Sequence, residues 1–305
     1  MIFNPTAGRG FYQPAKPVDQ VAEALREHVD EVLLLPTTSE ERAEAQARRG
    51  LAQGCDLIAP LGGDGTINEA LQAVADSDAA MLPLAAGTAN VFARETGMGL
   101  DAVKTAASLP SLEERVVPLG VAEFPEEGRE RLFLLMCGAG IDASAVYSVK
   151  PGLKQQVGIL AYVWSGLQLM LHPLSAITVL LGEEKWTGGL IVISKSRLYG
   201  GGLVLTPGAH LLADRFDIVC FRSRSPLQYP GYLAAVVTRT MDKLQGVTHR
   251  QFAKVEVVAA ENSAGAYVQV DGELAGSLPV CVRLGPEKVK VLAPGEYWAR
   301  REDNG

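Results

Sequence analysis

The rhythm of apolar and polar positions divides the chain near residue 115. In the first part, short apolar runs suited to strands alternate with stretches whose apolar residues recur every three or four positions. Strands are expected at 1–5 (MIFNP), 31–38 (EVLLLPTT), 55–61 (CDLIAPL) and 79–86 (AAMLPLAA). Helices are expected at 18–29, 39–54, 66–76 and 88–97, the second with Ser39 as its cap. Strand–helix units repeated in this way predict a parallel sheet with helices on both faces.

Beyond residue 115 the runs become short and β-like, from RVVPLGVAEF and RLFLLMCGAG through RFDIVCFR to AYVQVDGE and VCVRLG, with turn residues between them. This texture predicts a β-rich, sandwich-like second domain with helices near 153–172 and 227–245. The domains are expected at 1–118 and 119–285, and the segment 286–305 is expected to pack back on the first. The apolar run 157–172 contains Ser165 and Gln168 and is too short to span a bilayer. It reads as a core-facing helix, with a lipid-touching helix as the alternative.

Composition sharpens the picture. A chain of 305 residues, 48% of them hydrophobic, can bury two cores. Pro5, Gly8 and Arg9 interrupt the N-terminus before an apolar run develops, so no signal peptide is expected. The four cysteines lie far apart in apolar runs without metal spacing, which suggests buried thiols in a cytoplasmic protein. The histidines are scattered and none is assigned as a ligand. A net charge of -7 argues against a nucleic-acid binder. Residues 1–118 carry 9 basic and 17 acidic side chains, whereas 144–260 carry 12 basic and 6 acidic. An anionic surface would therefore be met by the second half.

Three segments of the first domain fall at the carboxyl ends of expected strands: 4–10 (NPTAGRG), 62–69 (GGDGTINE) and 85–95 (AAGTANVFARE). In an open α/β sheet ligands bind at that edge. Glycines let the backbone approach an anion, and the helix start behind them supplies N–H groups. Thr66, Asn68, Thr88 and Asn90 add hydroxyl and amide donors. No Gly-Lys-Ser/Thr follows the glycines, and Gly-x-Gly-x-x-Gly does not fit. Asp64 is the unusual element, because a carboxylate beside a triphosphate is useful when Mg²⁺ bridges the two. The alternative is that Asp64 only caps the following helix. In VQVDGE (268–273), Asp-Gly between alternating apolar residues also signals a hairpin turn.

The ordered series NPTAGRG, GGDGTINEAL, LPLAAGTANVFARE, CGAGIDASAV (137–146), GGGLVLTPGAHLLADRFDIV (200–219) and VQVDGE resembles the soluble lipid kinases with a diacylglycerol-kinase catalytic domain, which include bacterial diacylglycerol kinases and sphingosine kinases. The resemblance spans essentially the whole chain. It implies an α/β nucleotide-binding domain with a parallel sheet, a second β-rich sandwich-like domain, and an active site between them. It implies ATP and Mg²⁺ as cofactors and a diacylglycerol-like membrane lipid as acceptor. By the same resemblance ATP contacts Asn4, Pro5, Thr6, Ala7 and Gly8, then Thr38, then Gly62, Gly63, Asp64, Gly65, Thr66, Ile67, Asn68 and Glu69, and finally Gly87, Thr88 and Asn90. It places Asp271 and Glu273 at the transferred phosphoryl group, one of them as general base, and Asp64 with Mg²⁺ among the catalytic groups. A structural Mg²⁺ is implied at Asp214 with the carbonyls of Leu211 and Phe216. Two positions depart from the pattern: Val91 stands where Asp is frequent, and Arg215 where Gly is usual.

The resemblance further implies a peripheral membrane protein of the cytoplasm, with the basic stretch 147–156 facing the lipid, and suggests a homodimer. Two competing readings are a non-catalytic nucleotide- or lipid-binding member, kept open by Val91, and an enzyme that phosphorylates NAD.

Overall fold

The computed structural model describes residues 1–5, 18–140, 175–259 and 266–300. Thr6, Ala7, Gly8, the helix expected over 153–172 and the basic stretch 147–156 lie outside these described residues. The chain forms two compact units, Met1–Leu119 with Pro286–Gly305, and Gly120–Gly285.

The first unit contains β1 (Ile2–Phe3), β2 (Leu35–Pro36), β3 (Leu57–Ile58), β4 (Pro60–Gly62), β5 (Ala80–Met81) and β6 (Leu84–Ala85). Four of them form a parallel sheet in the order β2-β1-β4-β6. Ile2 stands opposite Leu35 and Pro60, and Leu61 opposite Leu84. The runs 57–62 and 80–85 change neighbours midway, since β3 pairs with β5, and β5 with residues 290–291. Pro83 has no N–H to offer, so the second run breaks there.

The helices of this unit are α1 (Val18–Arg26), α2 (Ala43–Ala52), α3 (Asp64–Val74), α4 (Val91–Thr96) and α5 (Ala102–Ala107). Helix α1 buries Val21, Ala22, Ala24 and Leu25 in one core with Leu61, Leu82, Leu84 and Ala106. Each fully buried branched side chain there contributes about 1.5–3 kcal/mol. Helix α2 starts later than the sequence suggests. Thr38 closes a tight turn by accepting N–H bonds from Glu40 and Glu41 on its Oγ1 at 3.2 and 2.9 Å. Arg42 rather than Ser39 is therefore the N-cap of α2.

The second unit is antiparallel. Its strands begin with β7 (Leu112–Phe124, continuous with the first unit), β8 (Arg129–Phe133), β9 (Met136–Gly140), β10 (Ile177–Leu181), β11 (Glu184–Gly188) and β12 (Leu190–Ser194). A small hairpin of β13 (Leu198–Tyr199) and β14 (Leu203–Val204) precedes β15 (Phe216–Phe221) and β16 (Val247–Phe252). The last strands are β17 (Lys254–Ala259), β18 (Tyr267–Val270), β19 (Glu273–Ser277) and β20 (Val280–Pro294).

One sheet has the order β16-β15-β12-β9-β18-β19, and the other runs β11-β10-β17-β20, with β7 beside β20 and β8 beside β7. Inward side chains such as Phe133, Ile191, Phe216 and Ile218 meet Ile177, Val179, Val255 and Val282 in a single core. The rings of Phe133 and Phe216 stack with centroids 5.6 Å apart.

Helix α6 (Tyr229–Thr238) covers the other face of the six-stranded sheet, packing Tyr232 and Val236 on Val192, Val219 and Phe221. The helix expected over 227–245 is cut to this length because Arg239 adopts the left-handed conformation. Among the described residues no helix is long and apolar enough to cross a membrane.

Candidate active site

The parallel order β2-β1-β4-β6 brings the carboxyl ends of its strands to one edge of the sheet. Asn4 and Pro5 follow β1, Thr38 follows β2, the glycine run follows β4, and Gly87 and Thr88 follow β6. Two of these loops interlock. A Cβ on Gly87 would lie 2.4 Å from the Cα of Gly63, so the two backbones meet without side chains between them. Gly62 is equally constrained, since a Cβ there would lie 2.4 Å from that of Thr66. Asn90, itself left-handed, braces the second loop by accepting from Gly87 N at 2.8 Å and donating to Gly87 O at 2.9 Å.

Asp64 joins the same two loops. It is the first residue of α3, yet its carboxylate caps α4, accepting from Val91 N at 3.1 Å and Phe92 N at 3.2 Å. The acidic residue in the glycine run thus serves a helix 27 residues further along the chain. Because the bonds to α4 are made by main-chain N–H groups, Val91 at the departing position preserves them. Its side chain is buried.

Other expected nucleotide contacts have structural partners. Glu69 accepts from Ala43 N at 3.0 Å and pairs with the Arg42 guanidinium, so its carboxylate closes the start of α2. Ile67, Asn68 and Asn90 are buried. Gly63, Gly65, Thr66, Thr38 and Thr88 remain accessible at the edge. With the first N–H groups of α3 behind them, they form a cradle of donors suited to a polyphosphate. Gly87→Ala is expected to destabilise the first unit by about 1–3 kcal/mol through overpacking. It should also weaken ATP binding, as read by thermal unfolding and by calorimetric titration with the nucleotide.

In the second unit, Asp271 and Gly272 have φ of 47° and 83° and join β18 to β19 as a two-residue hairpin loop. Asp271 is 4% exposed. Its carboxylate accepts three main-chain N–H bonds, from Leu134 at 3.0 Å and from Leu135 and Met136 at 2.9 Å each. These donors explain why the run RLFLLMCGAG divides into β8 and β9, because Leu134 and Leu135 leave the ladder to bind Asp271. Three of the roughly four acceptor positions of a carboxylate are taken up in this way. Glu273 opens β19 and is half-exposed.

The segment implied to hold a structural Mg²⁺ runs from Leu211 to Phe216. Leu211 and Phe216 are buried, while Asp214 is exposed and pairs with the Nε of neighbouring Arg215 at 3.1 Å. Mg²⁺ requires a near-octahedral set of oxygens. No cluster of three or more His, Cys, Asp or Glu that could hold a metal occurs among the described residues.

Sequence reasoning passes over two polar features. Lys195 is fully buried, and its N–H binds the carbonyl of Leu135, the residue that donates to Asp271. Asp217, almost fully buried, accepts from Gln251 Nε2 at 3.2 Å and lies 2.7 Å from His249 Nε2. The pairing of β15 with β16 and the period of two put these residues on one face, but that pairing is not visible in the chain. All four cysteines are free. Burial pushes Cys220 up to about 11, so it remains a neutral thiol at ordinary pH.

The comparisons with known proteins agree with this architecture. The family described as "Diacylglycerol kinase catalytic domain" matches residues 1–123, and "YegS C-terminal NAD kinase beta sandwich-like domain" matches residues 136–293. A diacylglycerol kinase of Mycobacterium tuberculosis is 27% identical over 96% of this chain and 94% of its own length. One from Bacillus subtilis is 25% identical over 92% of this chain and 90% of its own. A Pseudomonas syringae protein named "Probable lipid kinase YegS-like" is 30% identical over 76% of this chain and 73% of its own. Among solved structures, a diacylglycerol kinase from Bacillus anthracis shares the fold with a TM-score of 0.72 and 17% identity, covering 97% of this chain and 96% of that one.

Proposed function

Because the chain belongs to the diacylglycerol-kinase catalytic-domain family of lipid kinases, we propose that it transfers the γ-phosphoryl group of ATP to a hydroxyl of diacylglycerol or a related membrane lipid. The observation that carries this reading is the interlocked pair of glycine loops, tied by Gly63, Gly87 and Asp64 at the carboxyl edge of the parallel sheet. The nucleotide arrives as MgATP, in which the cation offsets part of the triphosphate charge.

The main-chain donors of 63–66 and the hydroxyls of Thr38, Thr66 and Thr88 hold the phosphates. Glu273 takes the proton of the acceptor hydroxyl. The new bond joins that oxygen to the γ-phosphorus, the bond to the β–γ bridging oxygen breaks, and ADP leaves with the electron pair. Asp271 is a positioning residue, because its oxygens are engaged by Leu134, Leu135 and Met136.

The test is transfer of labelled γ-phosphate from ATP, with Mg²⁺, to diacylglycerol, monoacylglycerol, ceramide, sphingosine and phosphatidylglycerol in mixed micelles, and separately to NAD. Label in one lipid is the expected result and names the acceptor. ATP binding without transfer to any lipid or to NAD would establish the non-catalytic reading, which Val91 favours.

A further inference from the structure

Helix α6 turns apolar side chains to solvent. Leu233 and Val237, one turn apart, are 54% and 63% exposed, and Leu227 in the turn before the helix is 86% exposed. The other large exposed hydrophobic residues among those described, Leu100, Val116 and Leu274, are far apart in the chain, Leu100 in the loop between α4 and α5, Val116 on β7 and Leu274 on β19. The opposite side of α6 is already occupied, with Tyr232 and Val236 in the core. A helix apolar on both sides is stable in water when its second side also finds a cover.

The charges around this strip are mostly positive. Arg222, Arg224, Arg239 and Lys243 flank α6 and are exposed, and Asp242 is the one acidic residue of the sequence between 222 and 250. Among the described residues neither Arg239 nor Lys243 forms an ion pair with a carboxylate. At the C-terminal end of the helix, Val204, Leu205, Pro207, Arg239, Met241, Val247 and His249 line a cavity of about 530 Å³. Its walls are largely aliphatic, with a guanidinium and an imidazole among them.

We propose that this face of the second unit docks on a bilayer containing anionic phospholipid. Leu227, Leu233 and Val237 enter the acyl boundary, while Arg222, Arg224, Arg239 and Lys243 meet the headgroup phosphates. The cavity beside Arg239 and Met241 receives the apolar part of one lipid. Aliphatic exposure framed by cations is the composition of an interfacial helix. The proposal rests on the lipid-kinase reading for its biological setting and deepens it by naming the surface that meets the membrane.

The experiment is co-sedimentation of the full chain with vesicles of phosphatidylcholine alone and of phosphatidylcholine with phosphatidylglycerol, without nucleotide. Wild type is compared with Leu233→Glu/Val237→Glu and with Arg239→Glu/Lys243→Glu, each checked for its melting temperature. Wild type should bind the anionic vesicles, less so at high salt, and each double variant should lower that binding about tenfold or more. Equal binding by wild type and both variants, or no preference for the anionic vesicles, overturns the proposal. So does a dimer in analytical ultracentrifugation that Leu233→Glu/Val237→Glu dissolves while vesicle binding persists, since the face would then join two copies. Docking is read here without turnover. Vesicle binding that the variants abolish, in a protein that phosphorylates no lipid, therefore retains the docking surface and removes the kinase reading.

Discussion

Glu273→Gln should lower phosphoryl transfer by about 10²–10⁴-fold, the range for losing a positioned general base. The amide keeps the size and hydrogen-bonding capacity of the side chain but cannot accept the hydroxyl proton. Glu273 is half-exposed at the first position of β19, so stability should change by no more than the about 0.5 kcal/mol usual for surface substitutions. ATP affinity should be retained, because the glycine loops belong to the other unit. Initial rates with the lipid acceptor, together with an unfolding curve, check all three expectations.

Asp271→Asn should give the complementary result, a loss of stability. Asn tolerates the left-handed backbone at this position, so the hairpin loop itself is not strained. The side chain, however, exchanges one acceptor oxygen for an NH₂ group pointed at main-chain donors. At least one of the Leu134, Leu135 and Met136 N–H groups then loses its partner in a buried place, at about 1–3 kcal/mol for each group. Loss of the charge-assisted character adds to this, and the melting temperature should fall by roughly 5–10 °C. Turnover should fall as well, because the hairpin presents Glu273. If Asp271→Asn abolished turnover at unchanged stability while Glu273→Gln stayed active, the two carboxylates would exchange roles.

How much of this was visible in the chain depends on how far apart the interacting residues lie. The Asp271-Gly272 turn follows from adjacent residues, and the glycine run before α3 follows from a strand pattern meeting a helix pattern. The partners of the carboxylates do not. Asp271 binds N–H groups 135–137 residues earlier in the chain, Asp64 binds 27–28 residues later, and Glu69 reaches back 26 to the start of α2. Periodicity gives the face on which a residue lies, but not what crosses from another element to meet it.

Local competition misled elsewhere. Ser39 has the chemistry of a cap, but the Thr38 hydroxyl takes the next two N–H groups and delays the helix. β16 escaped notice because VTHRQF is an edge strand with three exposed polar residues in a row, so it lacks a clean apolar alternation. The buried Lys195 gave no sign at all, since Ser-Lys-Ser reads as a polar turn.

The contact between Gly63 and Gly87 also bears on the entropy of recognition. Two loops whose main chains touch, and which share the Asp64 carboxylate, have little independent freedom left to lose. Their ordering is completed when the unit folds, so under the proposed kinase reading a nucleotide arriving later would meet a preorganised cradle instead of having to freeze two mobile segments. Affinity for the phosphates is then governed by how well the donors fit, and a substitution that separates the loops acts on binding through disorder even where no ligand contact is removed.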